Sequence, residues 1–360
     1  MNAVSRLATS SFTHDVSAQR VIFGFGKRSQ LAEEVERLGC QRALVISSAP
    51  QKDQALEIAG LIGTRSVGVY PYAEMHTPVD VTERAMSFLV ESRVDCLVAF
   101  GGGSAIGLTK ALALRTRLPQ IALPTTFAGS EMTPILGQTE HGVKTTLREN
   151  IVLPRTVIYD PKFVETLPVA VAGPSGMNSI AHAVEALYAE NHDPIVDMWA
   201  EESIGALGRA LPVIATGYAP ADAWAEALYG AWLGGACLGM AGMAIHHKLC
   251  HILGGSYNLP HADIHCLLIC YAAAYNRRAA PEAMGRIARA LNAQDAPQGL
   301  YYLMLTVGSV KSLQAFGLTP ADLDHVAEMA VANPYYNPAP VTKDGVRALL
   351  EAAYFGSVPY

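Results

Sequence analysis

Apolar residues recur along the first 160 residues in short unbroken runs, and the intervals between those runs carry apolar positions at helical spacing. The runs at 20–26, 42–48, 66–70, 95–100, 120–126 and 156–161 lack polar alternation, the mark of strands buried on both faces. Helical period predicts helices over 30–38, 53–62 and 79–92, and another opens at Gly101. Strand and helix in turn predict a parallel sheet covered on both sides. The interval 144–153 reads as a polar connection ahead of the last strand. Beyond about Pro161 the texture becomes rich in Ala, Leu, Met and Gly at helical period, broken by prolines from Pro174 to Pro334, with no strand. The expected layout is a Rossmann-like α/β domain over 1–160 followed by an all-α domain over 161–360, with an active site in the cleft between them.

Composition narrows the class. A chain of 360 residues, 51% hydrophobic and only 16% charged, has material for a large core and two domains. A net charge of −6 with no basic run argues against nucleic acid as a partner. No apolar stretch reaches the ~20 residues of a membrane-spanning helix, so no membrane association is expected. The first residues lack the apolar core of a secretory signal. Six cysteines, scattered through apolar segments without a Cys-x-x-Cys, fit reduced thiols in a cytoplasmic protein.

Gly101-Gly102-Gly103-Ser104 follows a buried strand and opens a helix. A tight strand-to-helix turn would use the same residues. Missing Cβ atoms ahead of a helix N-terminus also let main-chain N–H groups approach a pyrophosphate. Thr125 and Thr126 follow the next strand, where their hydroxyls can face the same crevice. Ser47 and Ser48 end the second strand, where an acidic residue often holds the adenosine ribose. With no charge there to repel a 2′-phosphate, NADH or NADPH is acceptable.

Five of the eleven histidines, His246, His247, His251, His261 and His265, fall within one short window. A lone helical histidine is usually a hydrogen-bonded core residue, but a cluster of buried imidazoles would leave many polar atoms to satisfy. His247 and His251 are four apart, as are Asn178 and His182, so each pair shares a helix face. With His261 after the Gly254-Gly255 break, they suit an imidazole-lined pocket between helices. Three histidines and an oxygen donor could hold Zn²⁺ or Fe²⁺. Asn178, a neutral amide where a carboxylate is wanted, points to metal being absent, or held weakly by His182, His247 and His261. The strip His141, Lys144, Thr145, Thr146, Arg148 and Asn150 offers cations and hydroxyls for substrate carboxylates, or else is a solvated loop.

Gly101-Gly-Gly-Ser104, Pro124-Thr-Thr126, Gly129-Ser-Glu131, the Asn178/His182 helix and His247-x-x-x-His251 running to Pro260-His261 together carry a resemblance. Over nearly its whole length the chain resembles the iron-containing alcohol dehydrogenases, whose fold dehydroquinate synthase shares. The resemblance puts the family's metal ligands, an Asp and three His, on Asn178, His182, His247 and His261. It puts a histidine near the nicotinamide at His251, and Gly107 where the family has an aspartate. The runs 123–135, 142–146 and 246–251 are similar to the branch that reduces maleylacetate. What this implies is NAD(P)H-dependent reduction of the C=C bond of that dicarboxylate to 3-oxoadipate, in bacterial breakdown of aromatics, by a homodimer. In that reading His251, His247, His182, His261 and Asn178 are catalytic. Gly101, Gly102, Gly103, Ser104, Thr125, Thr126 and Ser48 hold the cofactor, and Lys144, Thr145, Arg148 and His246 hold the substrate. The alternatives are a metal-dependent alcohol or lactaldehyde dehydrogenase of the same fold and a non-catalytic nicotinamide-binding protein.

Overall fold

The computed structural model describes residues 12–140, 143–308 and 310–360. Its strands are β1 (Arg20–Phe23), β2 (Ala43–Ile46), β3 (Ser66–Tyr70), β4 (Cys96–Gly101), β5 (Gln120–Pro124), β6 (Ile135–Glu140), β7 (Val143–Arg148) and β8 (Thr156–Tyr159). Six of them form one sheet in the order β1-β8-β5-β4-β2-β3, every pair parallel.

Four helices, α1 (Leu31–Arg37), α2 (Lys52–Ile62), α3 (Val79–Glu91) and α4 (Gly103–Thr116), cover that sheet. Leu31 and Val35 of α1 and Ile58 and Ile62 of α2 pack with Val45, Val98 and Phe100 on one face. Val81 and Leu89 of α3 and Leu108 and Leu112 of α4 pack with Leu44, Ile46 and Leu97 on the other. Successive strand residues point to opposite faces, and both faces here are dry, which is why these strands read as continuous apolar runs. β2 and β4 are neighbours, yet α2 and α4, which follow them, lie on opposite faces. Their carboxyl ends therefore flank a crevice, bordered by Ser47 and Ser48 on one side and Gly101 to Gly103 on the other.

All described residues after Tyr159 are helical or irregular. The helices are α5 (Val169–Ala186), α6 (Pro194–Ala215), α7 (Ala221–Met240), α8 (Ile245–Tyr257), α9 (His261–Asn276), α10 (Pro281–Ala290), α11 (Ala296–Thr306), α12 (Pro320–Val331) and α13 (Lys343–Phe355). Asp193, Asp295, Thr319 and Thr342 cap four of them with side-chain oxygens on main-chain N–H groups. Buried along nearly its whole length, α5 packs against α6, α7 and α9. A Cβ on Gly234 of α7 would lie 2.4 Å from Ser179 Oγ of α5, so glycine permits that close helix crossing. Among the described residues no single helix is long and apolar enough to cross a membrane.

Two expectations are corrected. The polar interval near residue 144 is not a connection: β6 and β7 pair antiparallel as a hairpin, with Leu136 opposite Leu147. Leu136 is buried with Ala111 of α4 and Val152, so only one face of the hairpin is apolar. Thr145 and Thr146 are β-branched and favour a strand although both are exposed. His141 and the side chain of Lys144 lie outside the described residues. Helix α8 runs through Gly254 and Gly255 without a break and stops at Asn258, whose φ of 50° is left-handed, ahead of Pro260.

Candidate active site

At the crevice, the turn after β4 is built for close approach. Gly101 has φ 146°, and a Cβ there would lie 2.8 Å from Gln51 Oε1. A Cβ on Gly102 would lie 2.9 Å from Thr126 Cγ2, whereas the space beside Gly103 is open. Gly102 stands at the N-cap of α4 with no side-chain cap, leaving the first N–H groups of that helix for a ligand. Ser104 lies in the first turn of the same helix. Across the crevice Ser48 Oγ donates to Gln51 Oε1 at 3.3 Å, and Gln51 Nε2 donates to Thr125 Oγ1 at 2.9 Å. This chain ties the end of β2 to the end of β5, and Gln51 is a member that sequence reading missed. These residues fit a dinucleotide: an open, uncapped helix N-terminus, a glycine cradle and neutral hydroxyls. A Cβ on Gly107 would fall 2.3 Å from Thr77 Oγ1, so the residue in place of the family's aspartate makes room for the loop before α3.

The histidines gather where α5, α8 and α9 meet. Asn178, His182 and Glu185 share one face of α5, and all three are buried. Glu185 accepts from the main-chain N–H groups of Ala244 at 3.0 Å, His246 at 2.8 Å and His247 at 3.4 Å. It also accepts from His247 Nδ1 at 2.6 Å. Ala244 has no side chain to cap α8, so this carboxylate, delivered from another helix, does so at the positive end of the dipole. A carboxylate accepts only, so Nδ1 of His247 carries a proton and its Nε2 faces away from Glu185. His247 Nε2, His182 Nδ1 and Asn178 Oδ1 are buried without a hydrogen-bond partner.

His182 and His247 have ring centroids 5.2 Å apart, and His265 lies 4.8 Å from His247 and 4.1 Å from His261. His251 is 6.3 Å from His247 and 6.5 Å from His261, and both outer rings are exposed. Sequence reading therefore brought together five residues that the fold also brings together: Asn178, His182, His247, His251 and His261. Burial, then mutual repulsion with neighbouring imidazoles, holds His182, His246 and His265 well below the ordinary histidine range. They are neutral at pH 7.

The substrate-binding expectations fare differently. His246 is fully buried, with Nε2 3.1 Å from His265 Nδ1, and ring nitrogens of His246, His247 and His265 lie within 4.8 Å of one another. Arg148 donates to the carbonyl of Gly239 and lines a cavity of about 530 Å³ with Trp199, Trp232 and Met240, whose walls include no histidine among the described residues. Its place at the end of β7, against the end of α7, commits it there. Thr145 is exposed in mid-strand opposite Gln138. Glu185 and Gln51 are the groups the sequence did not nominate, and His265 was counted in the cluster without a role. A lone carboxylate inside the apolar run Ala183-Val184-Glu185-Ala186 was the signal available for the first.

The donor set can be tested against a divalent cation. Three unpartnered buried donors, Asn178 Oδ1, His182 Nδ1 and His247 Nε2, are of the right kind, and Glu185 behind His247 is the usual carboxylate support of a ligating imidazole. They fit a metal, with His261 at the rim, but every direct donor is neutral. Such a set binds more weakly than one containing a carboxylate.

Residues 18–161 match the model of the iron-containing alcohol dehydrogenases, and residues 173–354 match the C-terminal model of the Fe-containing alcohol dehydrogenase family. A maleylacetate reductase of Burkholderia cepacia is 47% identical over 350 residues, 97% of this chain and 99% of that protein. A maleylacetate reductase of Rhizobium sp. strain MTP-10005 is 49% identical over 348 residues, again 97% and 99%. The crystal structure of maleylacetate reductase from Agrobacterium tumefaciens superposes with a TM-score of 0.95 at 46% identity, over 98% of this chain and 100% of that one. Use of NAD(P)H is consistent with this kinship. The chain belongs to the iron-containing alcohol dehydrogenase family.

Proposed function

We propose that this protein reduces the C=C bond of maleylacetate to give 3-oxoadipate, with NADH or NADPH as reductant and without need of a metal. The observation that carries the reading is the pocket in which a neutral amide, Asn178, stands with His182 and His247, while the one carboxylate, Glu185, lies behind His247. The relatives, 47% and 49% identical over nearly the whole chain, favour neither an alcohol dehydrogenase acting on lactaldehyde nor a non-catalytic binder.

Maleylacetate is a dicarboxylate whose alkene is conjugated to a ketone. When bound, the nicotinamide supplies hydride, here to the alkene carbon β to the ketone. Charge then develops on the ketone oxygen as an enolate, a far weaker base than the alkoxide of simple ketone reduction. Hydrogen-bond donors placed at that oxygen suffice. Asn178 can turn its NH₂ toward it, since the outward atom of that amide has no partner. A carboxylate at 178 would repel both the enolate and the substrate. Proton delivery to the adjacent carbon falls to His251, one turn along α8 and open to solvent. His247 keeps its proton on Nδ1 against Glu185. Hydride and proton together saturate the bond, and no other oxidant or reductant enters. A divalent cation held by Asn178, His182 and His247 would supply Lewis acidity at the same oxygen.

Further parts of the reading are proposals on the same footing. Residues 1–160 form the nucleotide domain and 161–360 the catalytic one, with the substrate in the cleft between. Gly101, Gly102, Gly103, Ser104, Thr125, Thr126 and Ser48 hold the cofactor. The protein acts as a homodimer in the cytoplasm, where its six buried cysteines stay free.

Chelator-treated protein mixed with NADH and maleylacetate should consume NADH and yield one equivalent of 3-oxoadipate by mass spectrometry. Absence of turnover that added Fe²⁺ or Zn²⁺ restores would refute the metal-independent part. Absence under every condition would refute the substrate.

A further inference from the structure

Lys110 lies in the middle of α4 and is entirely buried, yet the chemistry above does not use it. Its Nζ donates to the carbonyl of Ser130 at 2.5 Å, of Thr133 at 2.8 Å and of Ile135 at 2.8 Å. The hydroxyls of Thr133 and Ser130 lie at 3.0 and 3.4 Å. An ammonium has three N–H donors, and three carbonyls receive them. Beside it Glu131 is buried, accepting from Tyr159 OH at 2.8 Å. Burial pushes the lysine down to about 7, while the Glu131 carboxylate and three carbonyl acceptors favour its charged form.

The loop so gripped runs between the nucleotide crevice and the histidines. Just upstream, a Cβ on Gly129 would lie 2.7 Å from Gly235 Cα of α7 and 3.6 Å from His182 Nδ1. Within it, the Met132 carbonyl would lie 2.6 Å from a Cβ on Gly239. Without a cation, three carbonyl oxygens would converge in a dry interior, which is unfavourable. We infer that Lys110 is a positioning residue, the built-in cation of an oxygen cage that holds the 130–135 loop between the nucleotide helix α4 and the histidine wall. A helix that opens at the nucleotide crevice is thereby fastened to a loop whose upstream residue, Gly129, has no room for a larger side chain between Gly235 and His182.

Lys110→Ala empties the cage of its cation while leaving space for a small one. Amide hydrogen exchange of the 129–135 peptide should rise in this variant and return toward wild type on addition of ammonium chloride, with sodium chloride ineffective. This readout does not depend on the substrate proposed above. The kinetic arm does rest on that reading: kcat should fall by ~10–100-fold, as expected of a roughly 1 Å misplacement, while KM for NADH changes little, and ammonium should restore kcat. If wild type turns over and the variant matches it, the inference is wrong. It is equally wrong if the exchange defect ignores ammonium or responds alike to sodium. Should Lys110→Ala not fold, Thr133→Val removes one cage oxygen with little change of volume. It should raise exchange in the same peptide, and unchanged exchange would overturn the cage.

Discussion

Glu185 shows how much one side chain can settle. It caps α8, fixes the tautomer of His247 and holds negative charge behind the pocket rather than within it. Glu185→Gln keeps the shape but presents an NH₂ group to a nest of N–H donors. We expect a loss of about 1.5–3 kcal/mol in urea unfolding, the scale of a hydrogen bond to a charged group, together with reduced kcat. Stability and kcat both equal to wild type would show that the carboxylate charge is not needed there. His251 makes a cleaner kinetic test, being exposed. His251→Ala should lower kcat by ~10²–10⁴-fold with KM little changed, because proton delivery matters only after hydride has moved. A folded variant with near-normal kcat would shift the proton to His247. The histidines were legible because their spacing on helices is a local property. Glu185 was not, because a helical glutamate ordinarily faces water, and only the approach of a second helix shows what it caps.

At the scale of the element, the turn from β4 into α4 is where the proposed cofactor binding can be tested. Gly102→Val would drive its Cβ into Thr126, 2.9 Å away, and cover the N–H groups at the start of α4. Titrations by nicotinamide fluorescence should show NADH and NADPH weakened alike. A selective loss of one would mean that the 2′-position, not the pyrophosphate, is held there. Ser48 and Gln51 at the opposite edge bring no charge, so wild type should use both cofactors within about tenfold. The sheet strands and their helices were readable since two dry faces leave one unmistakable pattern. The β6–β7 hairpin was not, because one wet face and the residues Lys144, Thr145 and Thr146 look like a loop until Leu136 and Leu147 are seen paired over Ala111. Arg148 was misplaced for a related reason: its cation was visible in sequence, but its commitment to the Gly239 carbonyl depends on how the hairpin meets α7.

Across the whole molecule, the histidine cluster couples the pocket to stability. His182, His246 and His265 are buried and held well below the ordinary histidine value of about 6.5, so the native state keeps them neutral where the unfolded chain would protonate them. The folded values lie below the unfolded one. Their contribution is therefore complete above pH 6.5 and is lost as pH falls below it, because only the unfolded state gains those protons. Each such group contributes a slope of up to about 1.4 kcal/mol per pH unit, so three together reach roughly 4 kcal/mol per unit until the native sites also protonate. Urea unfolding of chelator-treated protein should accordingly be flat from pH 8 to about 7 and fall steeply from about 6.5 to 5.5. A triple His182→Gln, His246→Gln, His265→Gln variant, if folded, should lose most of that slope while retaining other acid sensitivity. An unchanged profile in wild type across this window would mean that the cluster already carries a proton in the native state. The pocket would then be cationic, and the case for an uncharged site that stabilises an enolate by hydrogen bonds alone would fall with it.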